Sequence, residues 1–134
     1  MPSVGVEAYL VVVALMAGSF INLAADRLPR RESLVSPRSH CRSCGRVLNL
    51  VDLIPIAGYL IRRGRCATCG VPIGASSPVV EGLCGALMLI SLAMLGLGWG
   101  AVAGGSAVVL LGAGAVAVSF ARAQAPARPG SRLG

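Results

Sequence analysis

A chain of 134 residues that is 55% hydrophobic, only 13% charged and has a mean hydropathy of +0.79 lacks the composition of a soluble domain built around one core. Its length suits a single unit. Twelve basic residues, all arginine, face five acids (Glu7, Asp26, Glu32, Asp52 and Glu81), giving a net charge of +7 whose placement says more than its size.

The first element is AYLVVVALMAGSFINLAA, residues 8–25, which carries no charge. It is just long enough for a helix to span a hydrocarbon layer of about 30 Å, and we expect a membrane helix over about 7–25. No Lys or Arg precedes it and Glu7 does, which is unlike the positive start of a secretory signal, so it reads as a retained anchor. Ala14, Gly18, Asn22 and Asp26 recur every fourth residue and share one face. Small residues permit close helix contact, and an intramembrane Asn prefers protein to lipid. The sharper reading makes this face the polar lining of a membrane-level site.

Residues 26–78 form a loop with two matching turns, HCRSCG (40–45) and RCATCG (65–70). Between them LIPIAGYLI (53–61) is uncharged and too short to span. It either packs under the cysteine turns or lies at the headgroup layer with Tyr59 at the boundary. Ser77-Pro78 reads as the cap and first residue of a second helix, about 79–97. Glu81 suits the positive end of that helix, with a role facing Asn22 as the alternative. Gly82–Ala121 is again free of charge and holds enough residues for two spans. LGLGWG (95–100) supplies a turn between them, with Trp99 at the interface, and the third helix covers about 101–121. Cys84 inside the second helix reads as a small packing residue. The tail 122–134 reads as disordered.

Nine of the twelve arginines fall in the loop and the remaining three, Arg122, Arg128 and Arg132, in the tail. Positive residues stay on the cytoplasmic side of short loops. Three helices place loop and tail on the same side, so the N-terminus faces out and the loop faces the cytoplasm. A reducing compartment disfavours disulfides, and Cys41, Cys44, Cys66 and Cys69 are therefore expected to bind one metal ion, zinc, in a closed four-sulfur site with a structural role. Two disulfides in an outward-facing loop are the competing reading, and iron a further one. Gly45 and Gly70 permit the positive φ such turns use. Arg42, Arg46 and Arg65 would offset the charge of four thiolates, and His40 reads as a neighbour of the site or a surface residue.

GSFINLAADRLPRRES (18–33), the cysteine turns around DLIP (52–55), RRGRC (62–66) and PVVEG (78–82) together resemble the N-terminal module of type IV prepilin leader peptidases, over roughly residues 17–90. The resemblance implies a polytopic bacterial inner-membrane protein that acts on prepilin or pseudopilin precursors of pilus and type II secretion systems. It also implies a zinc-type loop associated with N-methylation and S-adenosylmethionine. Peptidase chemistry in that family uses two aspartates, one in a Gly-x-Gly-Asp motif. Here Gly96-Leu97-Gly98 is followed by Trp99, Gly112-Ala113-Gly114 by Ala115, and no acid follows Glu81. Asp26 reads as a helix-end residue and Asp52 as a loop-turn residue, not as an acid–base pair.

The fold expected is therefore all-α and membrane-embedded: three transmembrane helices and a small four-cysteine loop in one module, 1–121. The function expected is the N-terminal module of a split or shortened prepilin leader peptidase/N-methyltransferase, not a peptidase alone, with a separate aspartate-bearing subunit as partner. The alternative is a non-enzymatic, zinc-clipped scaffold in the lipid bilayer that docks pilin or secretion components. No strand leads into a glycine-rich turn that would cradle a nucleotide-like cofactor. Nucleic acid is not an expected partner, since Tyr59 is the loop's lone aromatic and no recognition helix is present.

Overall fold

A computed structural model describes residues 2–125; the expectation for the tail beyond them lies outside the described residues. Three α-helices appear: α1 (Pro2–Arg27), a short α2 (Ala57–Ile61) and a long α3 (Ser76–Gln124). Two short 3-10 helices, Leu28–Arg30 and Val51–Leu53, punctuate the connection between α1 and α3. There is no strand among the described residues; the loop contains only two isolated antiparallel bridges, His40 with Val47 and Arg65 with Pro72. Both helical ends reach further than the sequence suggested. α1 begins at Pro2, and α3 starts at Ser76 behind an Ala75 N-cap and runs past Ala121 through Gln124.

α3 consists of two helical arms that meet at Gly96, whose φ of 71° and ψ of 178° are not helical. That conformation is open essentially to glycine alone. The chain doubles back there, inside the stretch expected to turn. A Cβ on Gly100 would sit 2.7 Å from the Leu92 Cα, and one on Gly104 would sit 3.1 Å from the Met88 Cα, so the segments either side of Gly96 run antiparallel. Trp99 stands exposed beside the turn.

α1 packs into this hairpin. A Cβ on Gly18 would lie 2.7 Å from the Glu81 Cα, so backbone meets backbone, and Leu15 fills the space over Gly85. On the returning segment Ile21 covers Gly112. The core is Ala14, Cys84, Met88, Leu92 and Val108, with Cys84 fully buried. Cys84 is accordingly a packing residue, and the small residues 14 and 18 supply the helix–helix contact. The outward surfaces remain apolar, with Val12, Phe20, Leu89, Ile90, Val109 and Leu110 exposed. Helices apolar on every side suit lipid, not water. Val4–Arg30 and Ser76–Gln124 are both long and apolar enough to cross a membrane.

Because the reversal rests on one backbone conformation, Gly96→Val should destabilise the folded protein by about 1–3 kcal/mol. Gly98→Ala, two residues on and with no atom within 4 Å of where its Cβ would sit, should be tolerated. Thermal unfolding of the two variants in detergent checks the contrast.

Candidate metal centre

Each cysteine turn closes on itself in the same way. The Cys41 N–H donates to the Arg46 carbonyl at 2.8 Å and the Gly45 N–H to the Cys41 carbonyl at 2.8 Å. In the second turn Cys66 donates to Val71 at 2.9 Å and Gly70 to Cys66 at 3.0 Å. Gly45 and Gly70 take φ of 71° and 68°, the left-handed backbone that folds each turn over its sulfurs. The two turns are thus copies of one knuckle facing each other.

The four sulfurs of Cys41, Cys44, Cys66 and Cys69 all lie within 4.8 Å of one another. Cys41 Sγ is 3.8 Å from Cys69 Sγ, and Cys44 Sγ is 3.8 Å from Cys66 Sγ. Four sulfurs at about 2.3 Å from a shared ion stand about 3.8 Å apart at the corners of a tetrahedron, so the donor set fits one ion. A disulfide would need about 2.05 Å, and all five cysteines are free thiols.

Backbone amides prepare the sulfurs for metal. The N–H groups of Cys69 and Thr68 point at Cys66 and hold its pKa down at about 6. Those of Cys44 and Ser43 lower Cys41 in the same way. Cys44 lies up at about 11: the Arg46 N–H lowers it, but desolvation and hydrogen bonds with the other three sulfurs outweigh that. Thiolates ready at some positions and a thiol at another describe a cluster that sheds protons when a cation enters.

The surrounding arginines serve carboxylates before sulfurs. Arg42 pairs with Asp26, which also holds Arg30 at 3.2 Å. Arg46 donates to Asp52 at 2.6 Å, and only as a lesser contact to Cys66. Arg65 reaches the Gly70 carbonyl at 3.4 Å. The charge-offset role expected for these three is therefore partial, because two acids compete for Arg42 and Arg46 and a backbone carbonyl takes Arg65. His40 is exposed, its Nδ1 3.0 Å from the Arg38 carbonyl, and stays out of the sulfur cluster.

Asp52 is the strut between the knuckles. One oxygen takes Arg46, just after the first, and the other takes Arg62 at 2.7 Å, just before the second. Asn49 and Asp52 exchange reciprocal bonds, Asn49 N–H to Asp52 Oδ2 at 3.0 Å and Asp52 N–H to Asn49 Oδ1 at 3.1 Å, which starts the Val51–Leu53 turn. Burial alone would raise the Asp52 carboxyl; the Asn49 N–H and the two guanidiniums overcome it and hold it below the ordinary carboxylate range.

A cleft of about 1350 Å³ lies between this loop and the helices. Asn22 and Asp26 from α1, Asp52 from the loop and Glu81 from α3 all line it, beside Cys41, Cys66 and Ser119. Glu81, buried at 5% exposure, accepts the Ile56 N–H at 2.6 Å and the Ser77 hydroxyl at 2.8 Å. Its bonds thus reach the loop and its own helix, not Asn22. Ser77 consequently turns inward to a carboxylate and does not cap α3, whose N-cap makes no side-chain hydrogen bond. Arg27 was not singled out by any motif, yet it is buried and clamps the loop by donating to the carbonyls of Ser33 at 2.7 Å and Pro37 at 2.9 Å. Its only sequence signal is an arginine one residue beyond the small-residue face.

Similarity to known proteins follows this architecture. Residues 12–95 match the family model described as the bacterial peptidase A24 N-terminal domain. A prepilin leader peptidase/N-methyltransferase of Myxococcus xanthus (strain DK1622) is 43% identical over 88 residues, 66% of this chain and 26% of that protein. One from Bacillus subtilis (strain 168) is 39% identical over 72 residues, 54% of this chain and 29% of that protein. A type 4 prepilin-like proteins leader peptide-processing enzyme of Escherichia coli O78:H11 is 32% identical over 127 residues, 81% of this chain and 45% of that protein. The chain thus spans between about a quarter and under half the length of these relatives. No solved structure matches.

Cys66→Ser should drop bound metal from one ion per chain to near zero, while Cys84→Ala should leave the ratio unchanged; elemental analysis of the purified protein measures both. Asp52 gives a pH test. Its folded-state pKa is depressed, so its stabilisation is present above the unfolded value of about 4 and lost as pH falls through the lower folded value. Asp52→Asn should therefore lower the thermal midpoint by about 5 °C at pH 7, and the gap between variant and parent should narrow below about pH 4.

Proposed function

The chain belongs to the bacterial peptidase A24 N-terminal domain family, and on that premise we propose that it is the membrane module of a prepilin leader peptidase/N-methyltransferase system, acting with an aspartate-bearing peptidase part on prepilin-like precursors. The observation that carries this reading is the extent of the family match: residues 12–95 take in most of α1, both knuckles and the α3 segment before Gly96. Relatives named for leader cleavage and N-methylation each match 66% of the chain.

In the bacterial inner membrane the chain forms three spans: α1 and the two arms of α3. The arm over 76–95 is about 30 Å long, the thickness of a hydrocarbon core. The arginine-rich loop and the C-terminal end of α3 then lie together on the cytoplasmic side, with the N-terminus outside. In a reducing compartment the four sulfurs hold zinc, and with every position taken by sulfur the ion is structural. Zinc fixes the two knuckles together and so shapes one wall of the cleft.

The carboxylates support dependence on a partner. Asp26 is engaged by Arg30 and Arg42, Asp52 by Arg46 and Arg62, and Glu81 by Ile56 and Ser77. A peptidase of the aspartic type needs two carboxyls that share a proton and face water, and these three are committed to structure. The cleft is wide enough for a precursor N-terminus beside S-adenosylmethionine, the methyl donor that the family resemblance implies. The same committed carboxylates favour a second reading, a zinc-clipped scaffold that docks pilin or secretion components without chemistry of its own.

Co-expression with a candidate aspartate-bearing membrane protein and a tagged prepilin tests the choice. Leader removal that requires both chains is the expected outcome. Association of the chains without cleavage would favour the scaffold, and neither association nor cleavage would refute both.

A further inference from the structure

The segment between the knuckles is an apolar unit held against the start of α3. Gly58 packs on the Val51 and Asp52 carbonyls, so the Val51–Leu53 turn and α2 form one piece. This piece is pinned to α3 by the Ile56 N–H on Glu81, and the Ile56 Cδ1 lies 3.8 Å from where a Gly82 Cβ would be. Gly82 opens the charge-free stretch of α3. The piece therefore sits at the level where that helix passes from polar to apolar surroundings, not out on top of the metal knuckles.

Its inner face is accounted for by Gly58, Ile56 and Tyr59, whose ring fills the space over Gly64. Its outer side chains Leu50, Val51, Leu60 and Ile61 are exposed, Leu50 at 80%, Leu60 at 65% and Ile61 at 59%, and lie outside the cleft lining, whereas Leu53 and Ile54, also exposed, border the cleft. Four such aliphatic side chains within twelve residues are unusual for a water-facing loop.

Charge selects what covers them. Asp26 and Asp52 engage Arg30, Arg42, Arg46 and Arg62. Arg31, one residue beyond the turn that ends α1, and Arg63, one residue beyond the C-cap of α2, have no salt bridge among the described residues. Both take positive φ, 57° and 52°, at the ends of their elements. Uncovered aliphatic groups followed two residues later by the free guanidinium of Arg63, with that of Arg31 in the same loop, match an anionic phospholipid surface, with acyl chains for the former and phosphates for the latter.

We propose that residues 50–61 are an in-plane membrane anchor: their aliphatic side chains enter the acyl boundary of the leaflet on the loop side, and Arg31 and Arg63 bind the phosphates of anionic phospholipids. This rests on the membrane-spanning reading of α1 and α3, and goes beyond it by holding the metal knuckles down on the bilayer instead of letting them project.

The test uses the full chain in vesicles containing brominated phospholipids. Trp99 is the only tryptophan, so the parent protein reports on the α3 turn and a W99F/L60W variant reports on the anchor. Retained metal serves as the folding control for that variant. Bromine placed near the headgroup should quench the variant's indole emission more than bromine deep in the chains, and that emission should be blue-shifted. Quenching in the parent, with the variant unquenched and water-like, would overturn the anchor while leaving the spans standing. Quenching in neither protein would overturn both. Independently, native mass spectrometry of the R31Q/R63Q protein should show its preference for phosphatidylglycerol over phosphatidylcholine reduced by about five-fold per arginine. An unchanged preference would refute the phosphate contacts.

Discussion

A buried carboxyl near the start of an apolar helix must find its partners in protein, and in this chain Glu81 finds them in two directions. The glycine at position 18 lets the α1 backbone reach the Glu81 Cα, so the side chain of Glu81 is forced away from α1 and toward the loop. There it takes the N–H of Ile56, a β-branched residue at φ 57° and ψ −51°. Such a conformation is unfavourable by about 1–3 kcal/mol, and a hydrogen bond contributes about 0.5–1.5 kcal/mol. The two ranges overlap, so the turn at Ile56 is held in part by the helix beneath it. Three segments distant in sequence meet at one residue, and the attitude of the metal loop follows from it.

The loop is also organised internally by its own hydrogen bonds. Each knuckle supplies two sulfurs and folds through its own two hydrogen bonds, but nothing within either knuckle sets their mutual distance. Asp52 does so by taking Arg46 from one side and Arg62 from the other. With that strut in place the sulfurs stand at the spacing of a tetrahedron. A carboxylate that positions both knuckles couples ion affinity to a residue outside the four-sulfur set.

What could be read in advance was local. The glycine after each second cysteine marked a left-handed residue, and both glycines adopt it. The glycine-rich stretch at 95–100 marked a reversal, and one of its glycines breaks the helix. Four-residue spacing of Ala14 and Gly18 marked a close helix contact, because a small side chain has that consequence whatever lies opposite. Identities across the contact were not legible. That Gly18 meets Glu81, that Arg27 folds inward over the Ser33 and Pro37 carbonyls, and that Arg46 serves Asp52 more than sulfur all depend on chain segments brought together by the fold. The cap of α3 failed for the same reason: Ser77 had a nearby backbone to serve, but the buried Glu81 oxygen was the stronger claim on its hydroxyl.

These placements bear on what the module contributes to a larger activity. An aspartic-type pair needs two carboxyls facing one water, whereas Asp26 faces Arg30 and Arg42, and Asp52 faces Arg46 and Arg62. The same pairs leave the cleft with two guanidiniums beside each of two carboxylates, a wall that keeps its shape and carries a net positive charge. Glu81 ties the start of α3 to the segment between the knuckles, and Asp52 ties the knuckles to each other, so helices, loop and cleft keep one arrangement.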